Sequence, residues 1–62
     1  MNVYRIGVID WSISGLNKVV SMQYVKGLKS AREMVPVKLF YSRNSKCYRG
    51  FLNDLEYVVT KI

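Results

Sequence analysis

The chain predicts a small α+β domain: a twisted antiparallel sheet of three to four strands, with a short helix and a C-terminal amphipathic helix packed on one face. Three observations lead there. The N-terminal stretch is rich in β-branched and aromatic residues, residues 27–35 and 51–62 place apolar side chains at helical spacing, and the segment between them reads as a hairpin. The 62 residues form a single domain.

Residues 2–11 read as a strand, because Val3, Tyr4, Ile6, Val8, Ile9 and Trp11 make both faces of an extended chain largely apolar. Ser12, Ile13, Ser14 and Gly15 follow as a turn, with Gly15 free to take a positive φ. Residues 16–25 fit either a second strand or the start of a helix. The strand fits better: Val20, Met22 and Tyr24 alternate onto one side, whereas a helix sets Gln23 and Ser30 inside its apolar arc and leaves Met22 and Val25 outside it.

From Gly27 the period lengthens. Leu28, Ala31, Met34 and Val35 share a helical face with Lys26, Lys29 and Arg32 opposite, and Pro36 ends this short helix by pushing the preceding residue out of the α region. Residues 37–42 form a strand by composition, 43–46 a loop, and 47–50 the return arm of a hairpin. With Asn44 and Ser45 as loop residues, Arg43 stands across from Lys46 and Tyr41 across from Tyr48 on one face, while Phe40 and Arg49 share the other.

Beyond the hairpin, Phe51, Leu52, Leu55, Val58, Val59 and Ile62 form one stripe of an amphipathic helix whose core residues are Leu55 and Val58. Asp54 in its first turn and Lys61 in its last complement the helix dipole. A strand over residues 55–62 competes, because Tyr57, Val58, Val59 and Thr60 all favour extended backbone.

A chain this short buries only about 60% of its unfolded surface, so its stability is small. Half its residues are nevertheless hydrophobic, which predicts a folded body. One cysteine, Cys47, excludes an intrachain disulfide, and the lack of histidine removes the usual zinc ligands. A small domain without staples is expected to form a homodimer or a tight complex with a larger partner. Arg5 and Asp10 interrupt the N-terminal apolar run, and no stretch reaches the roughly 18 apolar residues of a membrane span, so neither a secretory signal nor a membrane span is expected. The free thiol places the protein in a reducing cytoplasm.

Charge carries the functional signal. From Met34 to Asn53 the chain has no acidic residue, yet it sets Lys38, Arg43, Lys46 and Arg49 among Phe40, Tyr41 and Tyr48, within a net charge of +6. Cations interleaved with rings suit a surface that holds phosphates by charge and bases by stacking. The candidate anion or nucleic-acid site is therefore Lys38, Arg43, Lys46, Arg49, Tyr41 and Tyr48, extended by Lys26, Lys29 and Arg32 of the short helix. Alternating charge and paired tyrosines also stabilise a hairpin with no ligand at all.

No enzyme is predicted, and no metal or cofactor. Residues 5–16, RIGVIDWSISGL, resemble the strand-to-helix entry of flavin- and nicotinamide-binding folds, but only Gly15 of the three glycines is kept, and Asp10 stands where a carboxylate would repel a pyrophosphate. The same strand ending in aspartate is similar to the opening of ribonuclease-H-like nucleases, whose metal-dependent chemistry needs several converging carboxylates, where this chain has four acids in all. Without a histidine to take its proton, Cys47 is not read as a nucleophile. The expected function is a non-enzymatic nucleic-acid-binding protein, DNA or RNA. The alternative is a small inhibitor or modulator of the phage or plasmid accessory type, docking on an acidic protein surface.

Overall fold

A computed structural model of the chain describes residues 2–16 and 18–62. Strands β1 (Val3–Asp10) and β2 (Val19–Lys26) precede helix α1 (Leu28–Met34), and strands β3 (Phe40–Ser42), β4 (Cys47–Leu52) and β5 (Leu55–Lys61) follow it. All five strands join one antiparallel sheet in the order β2-β1-β5-β4-β3. The fold is thus mostly sheet with one short helix, which corrects the expected three to four strands and C-terminal helix.

Residues 51–62 are the end of β4, a tight turn at Asn53 and Asp54, and β5. Two properties override the helical stripe. Asn53 takes φ 54°, a left-handed conformation that asparagine tolerates, and lets Leu52 pair directly with Leu55. The run from Tyr57 to Thr60 then extends between β1 and β4, so both its edges are hydrogen-bonded. Alternation replaces the stripe: Val59 is fully buried, whereas Leu55 and Val58, the expected core pair, are half-buried.

The cross-strand register assigns the two faces. Tyr4 and Ile6 of β1, Val59 of β5 and Tyr48 of β4 point to the side covered by α1, where they pack with Ala31, Val35, Val25 and Leu28. Val3, Arg5, Gly7 and Ile9 point the other way. Gly27, at φ 85°, turns the chain from β2 into α1, a conformation that costs a residue with a Cβ more than it costs glycine. Met34, expected on the apolar face of α1, is 47% exposed, since the helix lasts only seven residues and buries Ala31.

The expected strand over residues 37–42 shortens to Phe40–Ser42 because the chain must first cross the sheet from β2 to the far edge. Val37 and Leu39 pack on the core during that crossing. They press on β4 at Gly50, where a Cβ would come within 2.7 Å of Val37 Cγ2 and 2.8 Å of the Lys38 carbonyl oxygen. Glycine is what lets the crossing lie so close. Among the described residues no helix is long and apolar enough to cross a membrane.

Candidate functional site

Where the C-terminal helix was expected, one face of the sheet lies open. Its middle is a groove of about 300 Å³ lined by Arg5, Gly7, Ile9, Val19, Met22, Arg49, Val58 and Thr60. Gly7 forms the floor: Val58 and Met22 flank it in the neighbouring strands, and a Cβ added there would meet nothing closer than the Val58 carbonyl oxygen at 4.0 Å. Around the groove stand four aromatic side chains that a globular core would normally cover, Trp11, Tyr24, Phe40 and Phe51, exposed by 51, 59, 64 and 63%.

Cations share this face. Arg5 and Lys26 reach it from β1 and β2, and Arg49 from β4. Lys18 Nζ lies 4.6 Å from the Trp11 ring centroid and Lys38 Nζ 5.6 Å from that of Phe40, both within cation–π range. Against these five, the described strand residues on this face present one carboxylate, Glu56, which is buried. The Trp11 indole N–H donates to Glu56 Oε1 at 3.1 Å, and Arg49 Nε lies 3.5 Å from Oε2. Glu56 thereby fixes an aromatic and a cation at one end of the groove, and its charge is spent on that task.

Asp10 is engaged elsewhere. Its Oδ1 accepts from the Ser12 amide at 2.9 Å and the Ser12 hydroxyl at 2.6 Å, which holds its carboxyl below the ordinary value of 3.8 and closes the turn after β1. Among the described residues no group of three or more acidic, cysteine or histidine side chains converges on a metal-sized site.

The residues expected to form one site divide between the two faces. The hairpin register agrees with expectation, with Tyr41 opposite Tyr48 and Phe40 opposite Arg49. Pairing stops at Ser42 and Cys47, however, so residues 43–46 all belong to the turn and Arg43 is not paired across the ladder with Lys46. Arg49 and Lys26 belong to the open face, and Lys38, whose backbone crosses over Gly50 on the helix side, reaches the edge of that face through its contact with Phe40. Tyr41 and Tyr48 lie on the helix side, their rings edge to face at 5.0 Å, with the Arg32 guanidinium 5.4 Å over Tyr48. Tyr48, packed against the core and held by these two neighbours, is a brace of the hairpin. Lys29 and Arg43 are exposed and join neither group.

Trp11, Tyr24, Phe40, Phe51, Arg5, Gly7 and Lys18 were missed as site residues. The period-two alternation of β1 carries the signal for three of them, since Arg5, Gly7 and Trp11 fall on one parity and Tyr4, Ile6 and Val8 on the other. Compared with known protein families, curated proteins and solved structures, the chain has no match in any of the three.

Proposed function

We propose that the protein binds single-stranded nucleic acid across its open sheet face, with bases stacked on Trp11, Tyr24, Phe40 and Phe51 and phosphates held by Arg5, Arg49, Lys18, Lys26 and Lys38. The observation that carries this reading is the coincidence, on one uncovered face, of four exposed rings and five cations around a glycine-floored groove. A flat face bearing rings accepts unpaired bases, whose π-surfaces are free, and not a duplex, whose bases already stack on one another. Each stacked base contributes about 1 to 3 kcal/mol, and the cations add a salt-dependent attraction.

Trp11 is the one tryptophan of the chain, so its fluorescence reports directly on the face. Titration with a single-stranded oligonucleotide at two salt concentrations should quench it, with an affinity that falls as salt rises; a duplex of the same sequence should bind more weakly. Absence of quenching and of binding at about 100 mM salt would remove the reading, because a site with several phosphate contacts keeps measurable affinity there.

One observation favours a second reading. β2 is an edge strand of eight residues without proline, and its outer N–H and C=O groups have no neighbour in the sheet order. Such an edge accepts a strand from another chain, whether a second copy or the larger protein that a small modulator would dock on. Light scattering that returns a mass above 7.2 kDa, or capture of the edge by a strand-donating partner, would support it.

A further inference from the structure

We propose that the cleft on the helix side of the hairpin is a second site, specific for a nucleotide that carries a terminal phosphate. The cleft measures about 340 Å³ and is lined by Tyr4, Tyr41, Lys46, Tyr48, Val59 and Lys61. That size falls within the roughly 300 to 1,000 Å³ of small-molecule sites. Val59 is fully buried and Tyr4 nearly so, which gives the cleft a fixed apolar floor. Tyr41, at 56% exposure, leaves a ring free to stack.

The charges come from two unconnected parts of the chain. Lys61 enters from β5, directly opposite Tyr4, and Lys46 from the turn before β4. Among the described residues no carboxylate lines the cleft, so two ammonium groups face it with no acidic side chain between them. An anion would supply one. Three rings are more than a bare phosphate needs, whereas a flat base joined to a phosphomonoester uses both the rings and the lysines.

The backbone at Lys46 points the same way. Its φ is 53°, in the left-handed region where glycine or asparagine sits at less cost than a lysine. Such outliers cluster where a side chain is required for something other than the fold. Here the strained residue carries one of the two cleft cations.

The cleft lies on the opposite side of the sheet from the open face, so the two sites are separable by substitution. Adenosine monophosphate, adenosine, inorganic phosphate and phosphotyrosine are titrated against the full chain, with the tyrosine ring resonances as readout. The monophosphate should saturate and bind at least about tenfold more tightly than adenosine or phosphate, the factor expected from one charge-assisted contact. Lys46→Gly and Lys61→Ala should each lose about that factor, while Lys29→Ala, an exposed cation outside both groups, should lose nothing.

Lys46→Gly also guards against misreading an unfolded variant. Glycine relieves the left-handed residue, so its melting temperature should equal or exceed that of the parent while nucleotide affinity falls. Equal binding of adenosine and its monophosphate overturns the proposal, as does phosphotyrosine binding at least as tightly as the nucleotide. So does full nucleotide affinity in a stably folded Lys46→Gly protein. A matching loss of monophosphate affinity in Lys29→Ala would mark a general attraction to positive charge and likewise overturn it.

Discussion

Trp11 and Glu56 meet across 45 residues of sequence, the indole N–H donating to a carboxylate that is 4% exposed. That bond ties the end of β1 to β5 and aims a ring at the open face, while Glu56 Oε2 lies within reach of Arg49. Replacing Glu56 with alanine leaves the indole donor unpaired and frees both side chains, so stability should drop by about 1 to 3 kcal/mol. Glu56→Gln keeps an acceptor for Trp11 and should cost less. In Glu56→Ala the tryptophan emission should shift, and oligonucleotide affinity should fall more than any one cation substitution explains. An unchanged spectrum would show that Glu56 does not position Trp11.

The two strand glycines should respond in opposite ways. Gly50→Ala drives a methyl into Val37 and the Lys38 carbonyl, and overpacking of this kind typically costs about 1 to 3 kcal/mol. Gly7→Ala adds a methyl to open space, so the fold should gain up to about 1 kcal/mol. The same methyl fills the groove floor, and ligand affinity on the open face should fall. Melting curves and titrations on the pair separate packing from binding. Loss of stability in Gly7→Ala would contradict the geometry.

Val59 is the largest fully buried side chain among the described residues and belongs to the core cluster. Val59→Ala should destabilise the fold by about 1.5 to 3 kcal/mol, a large part of what a domain this small possesses. Val58→Ala, on the open side of the same strand, should cost much less. Denaturant midpoints for the two variants would reveal whether β5 alternates as described; a helical C-terminus would give similar losses at both.

Acid should loosen the turn after β1. The carboxyl of Asp10 is held below its ordinary 3.8 by the Ser12 hydroxyl and amide, so its contribution is present above the unfolded value and lost as pH falls through the folded one. At neutral pH the parent should melt above Asp10→Asn. The gap should close below about pH 4. A gap that stays constant into acid would mean the ionised carboxylate is not what stabilises the turn.

Much of the sheet is written locally. β1, β2 and the Tyr41–Tyr48 register follow from alternation and turn residues that lie within a few positions of one another. The C-terminus is harder to read because Phe51, Leu52, Leu55, Val58, Val59 and Ile62 satisfy a helical period, while the features that oppose a helix are chemical: an Asn-Asp pair able to turn and four consecutive residues that favour strands. A helix mistaken for those strands also hid the open face, since it was expected to cover the sheet. The partnership of Glu56 with Trp11 and Arg49 depends on pairing between β1, β5 and β4, which no local pattern encodes.

The sheet order has a kinetic consequence. β2 and β1 form one hairpin-like pair and β3 and β4 another, and β5, the last strand in sequence, joins them by pairing with both β1 and β4. The Tyr4–Lys61 pairing closes a loop spanning nearly the whole chain, a non-local contact of the kind that slows folding. Until β5 is in place, β1 and β4 each expose an unpaired edge, and Ile6 and Tyr48 lack the Val59 residue that stands between them in the register. A folding chain therefore cannot complete its core stepwise, because the β1–β2 and β3–β4 pairs become one sheet only when β5 joins them.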